Sequence, residues 1–370
     1  MTTSFYASLV EKSLSEQGIS VQEAERVLND ASLNLLQLLD AAYQVRKTYW
    51  QNDVTIHIIN NAQNGWCPED CAYCAQAKSS AADIEEYPLK SDQEILDEAK
   101  RAYESGAHRY CMVFAGRGPS ERRVNKLAEL IQSIKSKYPI EVCVSAGLVN
   151  EEAAKTLKAA GLDRLNHNLN TSEARYPEIC TTHTYADRLA TLNAAQKAGL
   201  SICSGMIAGM GEAPSEVVEI AFALRKREVS SIPVNFLIPI PGASLVLENT
   251  LTPQYCLRML CMFRLVNPKA EIRVAAGREH HLRALQPLAL YPASSLFMDG
   301  YLNTKGTNTL DTLQMIEDAG FKVRANADVE ALLKTLKQEN QTVITGPNTG
   351  PDSVVFKGLN DLRPFQALKS

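Results

Sequence analysis

"VTIHIINNAQNGWCPEDCAYCAQ", Val54 to Gln76, is the stretch on which the fold turns. It opens with β-branched and apolar residues, "VTIHIIN" (54–60), the composition of a buried strand. It then runs straight into three cysteines, Cys67, Cys71 and Cys74. A first strand of a dinucleotide-binding sheet would be followed here by a glycine-rich turn, and none is present. Instead, thiols are delivered to the C-terminal end of a strand, where barrel enzymes keep their chemistry.

Seven further runs repeat the strand composition: 108–115, 140–147, 164–170, 201–209, 231–240, 271–277 and 295–303. Amphipathic stretches lie between most of them. Ser91 and Glu94 form a capping box that opens "SDQEILDEAKRAYESG", and Gly106 closes it; Gly199 ends "TYADRLATLNAAQKAG" in the same way. Further helices are expected near 120–136, 150–160, 213–227, 252–266 and 308–319. Eight strands alternating with helices predict an α/β fold, a closed (β/α)8 TIM-type barrel rather than an open sheet. The organisation expected is an N-terminal helical cap (1–50), the barrel (51–325) and a C-terminal helix and tail (326–370).

The chain of 370 residues carries a net charge of −4 and no basic stripe with interleaved aromatics, which argues against nucleic acid as a partner. Its start, "MTTSFYASLVEKSLSEQG", lacks the basic-then-apolar layout of an export signal. No apolar run approaches the ~18 residues that a membrane span requires, so a cytoplasmic protein is expected. Nine cysteines, an odd number spread along the chain, suit metal sites and buried thiols better than a disulfide framework.

Cys67-x3-Cys71-x2-Cys74 offers three thiolates where an iron–sulfur cube takes four. Structural zinc would ask for a second pair of ligands nearby. With Tyr73 immediately before the last cysteine, the loop resembles radical S-adenosylmethionine enzymes. The resemblance implies a 4Fe–4S cluster whose open iron binds S-adenosylmethionine and whose electron cleaves it to a 5′-deoxyadenosyl radical.

Cys111, Cys143 and Cys203 fall inside strands two, three and five, and Arg273 inside strand seven. Strand side chains alternate, so a suitable register turns all four into the lumen. Three thiols and a cation there suit a second, anionic iron–sulfur cluster. At this point the segments "NGWCPEDCAYCAQ", "YCMVFAGRGPS", "EVCVSAGL", "RLNHNLNTS", "SICSGMIAGMGE", "SIPVNFLIPIPGASL" and "EIRVAAGRE" resemble the biotin synthase family, in order, across about residues 50–320.

That resemblance implies sulfur insertion into dethiobiotin, with Cys111, Cys143, Cys203 and Arg273 holding the auxiliary cluster as sulfur donor. No protein acid or base is expected to be catalytic, because the cofactors carry the hard step. It implies Asn168 and Asn170 at the S-adenosylmethionine ribose, Arg188 at its carboxylate, and Tyr73 and Ile207 at its adenine. Asn166, Asn168 and Asn235 would meet the ureido ring, and Asn303 and Thr304 the substrate carboxylate. Asn170 stands where many relatives carry aspartate and loses the charge-assisted bond. The wording "CMVFAGRGPS" differs from the "CMGAAW"-like form of the two-iron cluster, so a 2Fe–2S or a larger, sulfur-richer cluster both stay open. A flavodoxin- or ferredoxin-like electron donor, cluster-repair machinery and a homodimer are expected from the family. Cys180, Cys256 and Cys261 match no ligand position and read as inert buried thiols. Two other readings are another radical barrel enzyme, such as a maturase or mutase with merely packed lumen cysteines, and an iron–sulfur redox sensor.

Overall fold

The computed structural model describes residues 4–245, 247 and 250–344. The expected tail beyond 344 lies outside them. Two units are distinguished, 1–329 and 330–370, and the second contributes most of the helix Val329–Ile344.

In the first unit, eight parallel strands close on themselves. They are β1 (Asp53–Gln63), β2 (Arg109–Phe114), β3 (Glu141–Ser145), β4 (Arg164–Asn166), a fifth split into β5 (Ser201–Cys203) and β6 (Met206–Ala208), then β7 (Ser231–Phe236), β8 (Glu271–Val274) and β9 (Ser295–Phe297). Pairing of Thr55–His57 with Ser295–Phe297 closes the ring. The expected barrel is therefore the observed one. A two-residue strand, β10 (Lys322–Val323), pairs with Asp53 and Val54 beyond the ring.

The helix signals act as the sequence implies. Ser91 and Glu94 exchange both capping bonds at the start of Asp92–Glu104, and Thr184 with Asp187 does the same for Tyr185–Lys197. Helices Phe5–Leu14, Val21–Asn29 and Leu35–Trp50 lie on the flank around Pro253–Val266. Two buried arginines tie them down through backbone carbonyls. Arg258 donates to Val27 O at 3.0 Å and to Leu33 O; Arg46 donates to Ala293 O and Asp53 O at 2.9 and 2.7 Å, at the N-terminal ends of β9 and β1.

Strand five breaks for a local reason. Pro233 lies within β7 and brings no N–H to the ladder. The register that sets Cys203 opposite Ser231 and Met206 opposite Val234 puts Gly205 against it. A Cβ at Gly205 would lie 1.9 Å from Pro233 O. Asn168 repairs the gap, accepting the Gly205 N–H at 3.1 Å. Gly205→Ala is expected to destabilise the barrel by about 1–3 kcal/mol, the usual range for forced overpacking, read as a lower urea midpoint at unchanged slope.

Several predicted strands are shorter than expected, and two of them bear on the site. Strand four ends at Asn166, and strand eight at Phe297. Asp299, Gly300 and Leu302 all take left-handed backbone angles, which turns 298–304 into a loop over the barrel mouth.

Candidate active site

Side chains two residues apart step up the lumen. On β2 they are Arg109, Cys111 and Val113; on β3, Glu141, Cys143 and Ser145; on β8 and just past its end, Glu271, Arg273 and Ala275. The result is a charged floor, a thiol layer and an open mouth.

The floor is built around Glu271. Its carboxylate accepts from Arg109 Nη1 at 3.2 Å, Arg164 Nη1 at 3.1 Å, Ser231 Oγ at 3.1 Å and Ser295 Oγ at 3.0 Å, and from Arg273 Nη2. His57 Nε2 lies 3.0 Å from it. Burial, reinforced by Arg273, holds His57 well below its ordinary pKa and therefore neutral. Glu141 pairs with the far side of Arg109. Three arginines against two carboxylates leave the floor electropositive.

Directly above, Cys111 and Cys143 face each other across β2 and β3, packed with Ile59, Phe297 and Tyr301. Arg273 Nη1 is 3.7 Å from Cys203 Sγ, and Asn166 Nδ2 is 3.2 Å from the same sulfur. Arg273 is anchored from below by Glu271 and by Ser231 Oγ at 2.7 Å. Its Nε is buried without a hydrogen-bond partner. A fixed cation with an orphaned donor beside three buried thiols fits a negatively charged cluster and is costly without one.

The mouth cavity gathers the remaining candidates. Cys67, Cys71, Cys74, Tyr73, Asn166, Asn168, Asn170, Arg188, Ile207, Asn235, Asn303 and Thr304 all line it, as does Tyr301. Burial raises the Cys67 and Cys74 thiols. These three thiols on one wall fit a cubane with an open iron. Nested turns shape their loop: Cys74 N–H donates to Cys71 O, and Ala77 N–H to Cys74 O.

Several of the polar side chains brace the backbone as well as line the cavity. Asn235 donates to Met206 O at 2.9 Å and accepts from Ala276 N–H at 3.2 Å, tying β6, β7 and β8 together. Asn170 takes φ +70°, a conformation asparagine tolerates better than most residues, and donates to Tyr73 Oη at 2.5 Å. Asn303 sits in the 298–304 loop rather than at a strand end and accepts from Asn64 Nδ2 at 2.8 Å. Arg188 is buried, donating to Asn168 O at 2.7 Å, to His183 Nε2 at 2.9 Å and to Tyr176 Oη. Burial alone would lower its pKa, but the tyrosines and Cys71 around it more than compensate, so it stays charged.

Behind the cysteine loop the structure departs from expectation. Cys180, Cys256 and Cys261 are all buried, and Cys256 and Cys261 lie within the helix Pro253–Val266 away from the mouth. Cys180 differs in its surroundings: its Sγ is 3.8 Å from Cys71 Sγ and 3.3 Å from His183 Nδ1. The hydrogen bond from Cys71 draws the Cys180 thiol down and pushes that of Cys71 up. Glu69 completes the group by accepting from His183 Nδ1.

Residues 64–224 match the Radical SAM superfamily, and residues 233–322 match the Biotin and Thiamin Synthesis associated domain. The methylornithine synthase PylB superposes with a TM-score of 0.75 at 19% identity, covering 89% of this chain and all of that one. The FeFe-hydrogenase maturase HydG from Carboxydothermus hydrogenoformans gives 0.74 at 18%, covering 88% of this chain and 80% of its own. Both share the fold. Sequence relatives go further. The biotin synthase of Acaryochloris marina is 54% identical over 325 residues, 88% of this chain and 94% of the relative. That of Magnetococcus marinus is 54% identical over 315 residues, 85% and 98%. With a three-thiol loop at the mouth, a thiol layer beneath it and near full-length relatives of one kind, the chain belongs to the biotin synthase family.

Proposed function

We propose that the chain inserts sulfur into dethiobiotin to give biotin, using the mouth cavity for both substrates and the thiol layer for the sulfur donor. The observation that carries this reading is the vertical order of the lumen, with Cys111, Cys143, Cys203 and Arg273 directly beneath a cavity lined by Cys67, Cys71 and Cys74. When bound, the 4Fe–4S cluster supplies the electron that cleaves S-adenosylmethionine to a carbon radical, and the auxiliary iron–sulfur cluster, 2Fe–2S or larger, supplies sulfur.

The protein's own part is placement and exclusion. Arg188 spends three of its five N–H groups on Tyr176, Asn168 and His183, leaving one on each terminal nitrogen for the S-adenosylmethionine carboxylate. Asn170, held by its bond to Tyr73, faces the ribose, and Tyr73 and Ile207 face the adenine. Asn166, Asn168 and Asn235 offer both donors and acceptors to a ureido ring while already held, Asn166 by the Asn168 side chain and the other two by backbone bonds, so they lose little freedom on binding. Asn303 and Thr304, on the loop over the mouth, meet the valerate carboxylate. Phe236, Leu237 and Tyr301 supply apolar surface that keeps water from the radical path.

Reduction by a small flavodoxin- or ferredoxin-like protein, rebuilding of the auxiliary cluster by repair proteins, homodimer formation and cytoplasmic residence belong to the same reading, supported by the family resemblance. No helix among the described residues is long and apolar enough to cross a membrane.

The test is anaerobic turnover of dethiobiotin with S-adenosylmethionine and a reductant, assayed for biotin. Biotin up to about one per chain is expected, since nothing in the assay rebuilds the sulfur donor; 5′-deoxyadenosine without biotin would favour another radical enzyme. Arg188→Met is expected to weaken S-adenosylmethionine binding roughly 10–100-fold, the scale of a lost charge-assisted pair at ~1.5–3 kcal/mol, measured by equilibrium dialysis on the reconstituted protein.

A further inference from the structure

Beside the cysteine loop lies a thiol that sulfur insertion does not use. Cys180 is 4% exposed, and its Sγ is 3.8 Å from that of Cys71. The two segments carrying them are clasped independently of either thiol. Ala72 N–H donates to Ile179 O at 2.9 Å, and the Asp70 carboxylate accepts the Thr181 and Thr182 N–H groups at 3.0 and 3.1 Å.

Among the described residues, Cys71, Cys180 and His183 are the one set of thiol, imidazole and carboxylate groups whose ligand atoms all lie within 4.8 Å of one another. The sulfur spacing equals the edge of a tetrahedron built on ~2.3 Å metal–sulfur bonds. A single divalent cation is nevertheless disfavoured. Both imidazole nitrogens are already engaged, Nδ1 with Glu69 and Nε2 with the Arg188 guanidinium at 2.9 Å, and that guanidinium would repel the ion. Two thiols brought together and denied a metal have one remaining common chemistry.

We propose that Cys180 is the resolving thiol for Cys71 whenever the outer cluster is absent. The inference rests on the reading of Cys71 as an outer-cluster ligand. Cys71 lines the mouth cavity and Cys180 does not, so a peroxide entering from solvent meets Cys71 first. Passing its proton to Cys180 along their 3.8 Å hydrogen bond, Cys71 attacks one peroxide oxygen as the thiolate; an S–O bond forms as the O–O bond breaks, and the departing hydroxide takes a solvent proton to leave as water. Cys180 then attacks the Cys71 sulfenic acid. An S–S bond forms, the S–O bond breaks, and the departing hydroxide takes the Cys180 proton as a second water. Two thiols are oxidised and one hydrogen peroxide is reduced to two waters. The product is a disulfide that a thiol reductant reverses. Without Cys180, further peroxide carries Cys71 on to the sulfinic acid, which no simple thiol restores. The device keeps an empty loop chargeable.

The full chain, stripped of iron by a chelator under reducing conditions and desalted, is treated anaerobically with hydrogen peroxide and digested with trypsin. Peptides 48–78 and 176–188 are expected to be joined, with fragment ions placing the bond between Cys71 and Cys180. After dithiothreitol, wild type is expected to regain its full iron on reconstitution, and Cys180→Ser less than about half of its own untreated value. A bond from Cys71 to Cys67 or Cys74, or equal recovery by Cys180→Ser, overturns the proposal. Unoxidised Cys71→Ser provides the separate control. If it still loads the outer cluster, the ligand assignment itself is wrong; if it does not, a missing cross-link counts against the resolving role alone.

Discussion

Cys111→Ala is expected to abolish biotin formation while leaving reductive cleavage of S-adenosylmethionine in place. Cys111 lies in the layer below the mouth cavity, opposite Cys143, and contributes nothing to the outer loop. On the proposed reading it is a ligand of the auxiliary cluster, so the decline should exceed the roughly 10–100-fold typical of a residue that only supports a ligand. Anaerobic reconstitution should show iron and sulfide falling to the content of one cluster, and 5′-deoxyadenosine should still accumulate when reductant is supplied. Biotin formation at the wild-type rate would remove the sulfur-donor role from this layer. Loss of 5′-deoxyadenosine as well would mean that the two layers do not work as separate centres.

The second large effect is expected at Glu271. Glu271→Leu leaves Arg109, Arg164 and Arg273 facing one another without their shared counter-charge. Breaking a buried ion pair from one side costs about 3–5 kcal/mol, to be read as a fall in unfolding free energy at pH 7. The isosteric Glu271→Gln isolates the charge. Burial by itself would raise the Glu271 pKa, but the charges of Arg109 and Arg273, helped by the hydrogen bond from His57, outweigh it and hold it well below the ordinary value. A folded-state pKa that is lowered gives stability that is complete above the unfolded value of ~4.3 and is lost as pH falls below it toward the folded value. Wild type should therefore lose stability more steeply than Glu271→Gln below about pH 4.5, and the two should run parallel at neutral pH. Parallel acid limbs would show that the carboxylate is not ionised in the folded lumen.

Much of this was written in the chain. The first strand running into Cys67, Cys71 and Cys74 announced a barrel with its chemistry at the strand ends, and alternation along β2, β3 and β8 put Cys111, Cys143 and Arg273 on one side. The same alternation, carried two residues further back, leads to Arg109, Glu141 and Glu271, and from Ile59 back to His57. The charged floor was thus legible and unread, because a glutamate or histidine inside a strand draws no attention until its neighbours on other strands are known. What pattern alone does not reach is contact between distant segments. Cys180 reads as one more buried thiol until the chain folds and Ile179 O takes the Ala72 N–H. Pro233 gives no warning of the break it imposes on strand five, since that depends on the register that sets Gly205 against it. The 298–304 loop has strand-like composition, and only its left-handed residues reveal the turn.

The floor has one more consequence, for the order in which the protein is serviced. His57, Arg109 and Glu271 are almost wholly buried and bonded to one another, so they act as a plug. On the proposed function, iron and sulfide destined for the inner layer would then descend through the same opening that admits dethiobiotin and S-adenosylmethionine. A vessel with a single door cannot be refilled while it is in use, so each round of restocking has to wait until the spent nucleoside and the product have left.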